Sequence, residues 1–268
     1  MNIGILQSAG IAGNIIDVAL NHPEQQEVFT PVIYSKENGN DKNVSSDLKF
    51  GNIKAVVVAP GSATAFNFPG TMTIYLGEHQ RVATVLEGDG AALSSDVLSE
   101  RIRKAWHSLK RDFLCSMPRI AFVANIAAED EELVMSTLAD LTAQGIGVFG
   151  PYAPDAYLEE QQYQHFDLTL CIDETLTQQV LNATVEQTRT KLLAGLPMVM
   201  ATTDYSATFD FDSADLEEPA LALRKAVYAV IDVCGCRDAY DEANQSPLPK
   251  LYHERKDDSE KVRFAIKK

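Results

Sequence analysis

Short continuous apolar runs alternate with longer stretches of helical period along this chain. The runs at residues 2–6, 28–34, 55–58, 81–86, 120–124, 146–149 and 168–172 are rich in β-branched side chains and predict buried strands. Between 94 and 113, Leu98, Ile102, Ala105, Leu109 and Phe113 recur at three- and four-residue spacing. They form one stripe of an amphipathic helix, with Arg101, Lys104 and Lys110 on the rest of its surface. The acidic run 129–132 opens a second helix, where negative charge favours the positive end of the dipole. Val134, Leu138 and Leu141 form its inner face, and Gly145 is its C-terminal cap. A third helix is predicted over 215–233, with Leu223, Val227 and Val230 on one face and Pro219 near its first turn. The apolar stretch 15–20, after the small-residue turn 8–13, predicts a further helix. Residues 35–46 carry Lys, Asn, Asp and Gly and read as a solvated loop, and the tail after Cys236 reads as a strap over the body. Strands and helices that alternate throughout predict an α/β fold with a largely parallel sheet.

Charge narrows the function. The chain has 268 residues, with 23 Lys and Arg against 38 Asp and Glu, a formal net charge of −15. That excess repels a phosphate backbone and argues against nucleic acid, and equally against an anionic membrane, as partners. No apolar run approaches the roughly 18–20 residues a transmembrane helix needs. The start of the chain lacks a basic region and a cleavage site, so no signal peptide is expected. Four scattered cysteines do not make a disulfide framework. The expectation is a soluble, cytoplasmic protein.

Candidate chemistry is sparse. The five histidines, His22, His79, His107, His165 and His253, show no i, i+2 or i, i+4 pairing and sit among polar neighbours, as solvated surface histidines do. Cys234-Gly235-Cys236 has the spacing to hold a soft metal but no second cysteine pair. Gly10-Ile11-Ala12-Gly13 follows a strand without forming GxGxxG, which suits a tight β–α turn. Pro60-Gly61-Ser62-Ala63-Thr64 also follows a strand, where open α/β sheets line their ligand crevices. Asp204, Asp210 and Asp212 crowd one segment, readable as a solvated acidic loop or a divalent-cation site. There is no GxSxG and no thiol in a setting that favours the thiolate.

Taken in order, several segments resemble the 4-hydroxythreonine-4-phosphate dehydrogenase family of vitamin B6 biosynthesis. Residues 145–155, Gly-Ile-Gly-Val-Phe-Gly-Pro-Tyr-Ala-Pro-Asp, are similar to its G-x-x-x-x-G-P-x-x-x-D stretch. Pro118-Arg119-Ile120-Ala121 resembles the strand before its Asn-Pro-His-Ala-Gly motif, and Phe166-Asp167-Leu168-Thr169-Leu170 the strand before Met-Tyr-His-Asp-Gln-Gly. Gly195-Leu196-Pro197 resembles the Gly-Leu-Pro that precedes Arg-Thr-Ser and Asp-His-Gly-Thr-Ala. Thr30-Pro31-Val32-Ile33-Tyr34, Ala59-Pro60, Phe68-Pro69-Gly70 and Ala239-Tyr240-Asp241-Glu242 fall in family order too, so the likeness spans nearly the whole chain. It implies an isocitrate/isopropylmalate dehydrogenase-like fold, with two α/β lobes around a cleft and a homodimer as the assembly. Residues 1–66 with 195–268 would form the first, discontinuous lobe, and 67–194 the second, carrying the dimer contact. NAD, a divalent metal held by three histidines and a small phosphorylated ligand are the implied cofactors and substrate.

The motif positions here carry different residues. Asn125-Ile126-Ala127-Ala128-Glu129 stands at Asn-Pro-His-Ala-Gly, which puts Ala127 at the first histidine, and Ile172-Asp173-Glu174 puts Glu174 at the second. The third histidine's segment reads Thr84-Val85-Leu86-Glu87-Gly88-Asp89. Pro-Gly-His-Thr becomes Pro69-Gly70-Thr71-Met72-Thr73, Arg-Thr-Ser becomes Met200-Ala201-Thr202, and Asp-His-Gly-Thr-Ala becomes Asp204-Tyr205-Ser206-Ala207-Thr208. The cleft positions implied are therefore Met72, Thr73, Asn125, Ala127, Glu174, Met200 and Asp204. No Lys or Arg stands at the family's basic substrate contacts, although Arg189 and Lys191 are close in sequence. Without the cation, a substrate alkoxide loses several kcal/mol of support, at about 1.4 kcal/mol per tenfold in rate. The expectation is a divergent member that lacks the standard metal-dependent activity, with no catalytic residue assigned, and that acts as a binding or regulatory protein. The alternative is an active NAD-dependent oxidoreductase on a phosphorylated hydroxy acid, with Glu174 and the carboxylate of Asp173 or Asp89 as a substitute metal site.

Overall fold

In the computed structural model of the chain, residues 1–7, 12–20, 28–35, 41–60, 62, 71–77, 80–87, 92–184, 190–203 and 216–245 are described. One mixed ten-stranded sheet organises them. Its first parallel block contains β1 (Asn2–Gln7), β2 (Thr30–Ser35), β3 (Ala55–Val58) and, from much later in the chain, β10 (Val199–Thr203). The second contains β5 (Arg81–Leu86), β6 (Ile120–Val123), β7 (Val148–Tyr152) and β8 (Leu168–Asp173). Between the blocks lie β4 (Met72–Leu76) and β9 (Thr190–Ala194), and the order across the sheet is β2-β1-β3-β10-β9-β4-β5-β8-β6-β7. The steps β10/β9, β9/β4 and β4/β5 are all antiparallel. Three reversals in succession turn the strand direction over, so the carboxyl ends of the two parallel blocks lie at opposite ends of the sheet.

Helices cover both faces, which is why the parallel strands are apolar on both sides. α1 (Ala12–Leu20) and α7 (Glu217–Gln245) pack on one face of the first block, where Ile3, Ile5, Ala55, Val57, Val199 and Ala201 meet Leu223, Val227 and Val230. The alternate residues Val56, Val58 and Met200 point to the opposite face and join Tyr34, Val44 and Ile53 under α2 (Asp41–Lys49). On the second block, α3 (Ser95–Asp112) and α4 (Glu131–Ala143) enclose a core with Leu98, Ile102, Leu109, Phe122 and Leu138. α5 (Pro154–Glu159) and α6 (Glu174–Thr184) close the other side around Tyr157, Cys171 and Val180.

Where apolar period was strong, the expected elements stand. β3 and β5 occupy the predicted residues, and α3 follows its stripe, opened by Ser94, whose side chain accepts from the Val97 N–H at 3.2 Å. α4 begins within the acidic run, and Gly145, at φ +83°, follows its C-terminus. The Gly-Pro stretch shows why glycine is needed there. Gly150 has φ +125°, and a Cβ on it would lie 2.4 Å from the Phe122 carbonyl oxygen.

Several expectations are corrected. Residues 41–46, read as loop, belong to α2, whose few apolar side chains suffice because Val44 is buried and Asp47 anchors the element. The Tyr34 hydroxyl donates to Asp47 at 2.7 Å and the Asn52 amide at 2.9 Å, and these bonds hold the Asp47 carboxyl below its usual range. Strand β2 begins at Thr30, with Val28 exposed in a turn. The strand expected at 146–149 is shifted to Val148–Tyr152. The last helix does not stop at 233 but runs to Gln245, so Cys234-Gly235-Cys236 sits inside a helix rather than at its end. Buried Arg237, two residues past the glycine, ties the extended helix to Asp112 of α3 and to the Leu196 carbonyl. Residues 174–203, left unassigned by pattern apart from the Gly-Leu-Pro turn, supply α6, β9 and β10.

Candidate functional site

Strands β5, β8 and β6 run parallel and adjacent, with Leu86 opposite Asp173 and Val123 opposite Cys171. The segments that leave their carboxyl ends are therefore neighbours, and they begin at Glu87, Glu174 and Ala124 respectively. This is the end of an open α/β sheet at which crevices form. Two positions that resemble the family's histidines lie here: Glu174 is the exposed first residue of α6, and Ala127 is exposed in the loop after β6 with Asn125.

The polar groups at this end are engaged with one another. Glu87 accepts from the Thr73 N–H at 2.8 Å through Oε1 and faces the Arg101 guanidinium at 3.4 Å through Oε2. Arg101 also donates to the Thr71 carbonyl at 2.6 Å, so β4's entry and β5's exit are tied to α3. Asp173 Oδ1 accepts from the Leu176 N–H at 2.8 Å, the bond a helix N-cap makes, and the acid Glu174 suits the positive first turn of α6. Below them, the Thr84 and Thr177 hydroxyls are 2.7 Å apart, and Thr177 also donates to the Asp173 carbonyl. Burial pushes the Cys171 thiol up to about 12 and the Cys234 thiol up to about 11, and raises those of Cys115 and Cys236 as well. None of the four is a ready nucleophile at neutral pH.

Among the described residues, the implied positions Met72 and Met200 do not share a surface. Met72 is fully buried in the second-block core, and Met200 is buried under α2, in a separate cluster. Thr73 is held through its backbone by Glu87. Asp204, Asp89, Asp210, Asp212, Arg189, His22, His79, His253 and most of the turns 8–13 and 60–64 lie outside the described residues. His107 is exposed on α3, with its ring edge-on to Tyr240, and His165 is exposed in the short turn Gln162–His165. Among the described residues no group of three His, Cys, Asp or Glu side chains is placed to hold a metal ion. Ala127 offers a methyl group, Glu174 one carboxylate, and Glu87 a carboxylate bonded to Arg101 and Thr73. That donor set does not fit a three-imidazole cage. Sequence reasoning missed Arg101 as a partner and placed it on the helix surface. Its signal was its spacing, three residues after Leu98 and so on the border of the apolar stripe.

Comparison with known proteins gives this arrangement its class. The chain superposes on an isocitrate dehydrogenase of Methylococcus capsulatus with a TM-score of 0.57 at 12% identity, over 91% of this chain and 89% of that one. It superposes on a 4-hydroxythreonine-4-phosphate dehydrogenase of Burkholderia phymatum with a TM-score of 0.64 at 16% identity, over 86% of this chain and 98% of that one. The fold is thus the mixed α/β fold of the isocitrate dehydrogenase-like proteins. Residues 62–229 match the model of the pyridoxal phosphate biosynthetic protein PdxA, and the chain belongs to that family. A 4-hydroxythreonine-4-phosphate dehydrogenase of Bacteroides thetaiotaomicron is 25% identical over 247 residues, which cover 80% of this chain and 68% of that protein. No helix among the described residues is long and apolar enough to cross a membrane.

Proposed function

We propose that this PdxA-family chain has lost the metal-dependent dehydrogenase reaction of 4-hydroxythreonine-4-phosphate dehydrogenases and works as a binding or regulatory protein on the same fold. One observation carries the reading: the positions that resemble the metal-binding histidines hold Ala127 and Glu174, and Glu87, the nearby carboxylate, is committed to Arg101 and the Thr73 N–H. An alkoxide formed on a substrate hydroxyl would meet no cation held by these groups, and the loss of that electrostatic support slows hydride transfer by orders of magnitude. A small phosphorylated ligand, a homodimeric assembly and a cytoplasmic setting complete the proposal. So does a division into two lobes, 1–66 with 195–268 and 67–194. The separate apolar cores of the two blocks support the division, and the change of core within β9 supports its second boundary. There Leu192 packs with the first block and Ala194 with the second.

The test is turnover. The full chain, incubated with 4-hydroxythreonine 4-phosphate, NAD and Mg²⁺ or Zn²⁺, is expected to produce no NADH above the enzyme-free rate. Metal-dependent NADH production at an ordinary enzymatic rate would overturn the proposal and establish the carboxylate-based alternative around Glu174.

A further inference from the structure

A second polar centre lies away from these strand ends, and no part of the reading above uses it. A cavity of about 330 Å³ opens between the C-terminal half of α3, α7 and the turn that joins β9 to β10. Lys104, Arg111 and Arg237 line it, with His107, against a single carboxylate, Asp112. In a chain with 38 acids and 23 bases, that lining inverts the overall balance.

The cations are held in place. Arg237 is only 6% exposed. Its Nε donates to Asp112 Oδ1 at 2.7 Å, and its Nη1 donates to the Leu196 and Pro197 carbonyls at 3.3 and 3.2 Å. Ser108 donates to the other Asp112 oxygen at 2.6 Å, so both oxygens of that carboxylate are engaged and its orientation is fixed. No hydrogen bond to a described residue engages Arg237 Nη2, which leaves one donor in reserve on a residue that lines the cavity. Gly195, at φ +87°, lets the Lys104 stem lie against the turn, where a Cβ would meet it at 3.1 Å. The outer partners are weaker. Arg111 is 3.7 Å from Asp241, which is about half exposed, and Lys104 is 3.0 Å from Glu100, which is largely solvated. A ligand with more than one negative oxygen would compete with carboxylates that are themselves this accessible to water.

We propose that this cavity binds a small multivalent oxyanion, a phosphate or a polycarboxylate, which bridges α3 to α7. It lies at the turn before the start of β10, in the first block of the sheet, whereas the strand-end crevice belongs to β5, β6 and β8 of the second. Along α3 it is roughly 16 Å from Arg101 to Asp112, at about 1.5 Å per residue. The site is thus distinct from the strand-end crevice and does not depend on whether that crevice is catalytic.

The experiment is calorimetric titration of the full chain at fixed ionic strength with inorganic phosphate and, separately, citrate. Saturable one-to-one binding of either is expected; which of the two binds more tightly distinguishes a phosphoryl from a carboxylate ligand. Lys104→Gln and Arg111→Gln, both at partly exposed positions, are each expected to weaken it about tenfold through loss of a charge-assisted contact. Lys49→Gln, on exposed α2 surface, is expected to leave it unchanged. Absence of saturable binding by both anions would overturn the proposal. So would binding unaltered in both cavity variants, or weakened equally by Lys49→Gln.

Discussion

The two ends of α3 hold two polar centres of opposite design. In its N-terminal half, Arg101 meets Glu87 at 3.4 Å, with side-chain exposures of 18% and 25%. At its C-terminus, Asp112 meets Arg237 at 2.7 Å, with exposures of 3% and 7%. The first pair lies at the strand ends where the family's chemistry is expected, yet its neighbours are hydroxyls bonded to one another, a capping carboxylate and a protonated thiol. The second lies away from those ends and is a desolvated, fully directed ion pair. Among the described residues, charge that is expensive to bury is thus concentrated where it joins α3 to α7, while the ion pair at the strand ends reaches water. The contrast teaches where the fold depends on charge and where it has room to change.

Breaking the inner pair should have the largest effect. Asp112→Ala leaves the Arg237 guanidinium buried without its counter-ion, which costs about 3–5 kcal/mol when one partner of such a pair is removed. Urea unfolding should show the midpoint falling accordingly. The double variant Asp112→Leu with Arg237→Met should recover most of the loss, because it removes both desolvated charges. Equal destabilisation in the single and double variants would show that packing, not charge, holds the two helices there.

The next effect concerns the strand-end centre and appears in alkali. Cys171 has its thiol raised from 9.0 to about 12 by burial. Between about pH 9 and 12 the unfolded chain loses this proton first, so the native state binds more protons and stability falls as pH rises. One such group contributes at most about 1.4 kcal/mol per pH unit. Cys234, raised to about 11, adds the same sign over a narrower window. Cys171→Ala should therefore flatten, without abolishing, the alkaline slope of the unfolding free energy. An unchanged slope would place the thiol's proton in contact with solvent.

How much of this contrast could be read from the sequence depends on range. β3 and β5 were legible because a buried parallel strand writes a continuous apolar run, and α3 because its stripe repeats over several turns. α2 was not, since only Val44 and Leu48 mark its inner side. β10 was hidden because its place beside β3 depends on a pairing across more than a hundred residues, which no local period records. The inner ion pair joins residues 125 apart, and its one local trace is that Ser108 and Asp112 continue the buried face of α3 with polar side chains. Of the positions the family likeness implied, Ala127 and Glu174 are exposed at the strand ends, while Met72 and Met200 are buried in separate cores.

The smallest effect is expected at the outer pair, and it sharpens the comparison most directly. Glu87→Gln removes the charge facing Arg101 and keeps an oxygen able to accept from the Thr73 N–H. Both side chains reach water, so screening reduces the Coulombic part to the range of exposed pairs, about 0–1 kcal/mol. Arg101 retains its bond to the Thr71 carbonyl, which limits the loss further. A shift in the urea midpoint far smaller than that of Asp112→Ala is the expected result, and added salt should change it little more. If Glu87→Gln instead costs as much as Asp112→Ala, the strand-end pair is as locked as the inner one. The difference drawn between the two ends of α3 would then be lost, and with it the idea that the strand-end carboxylate tolerates change.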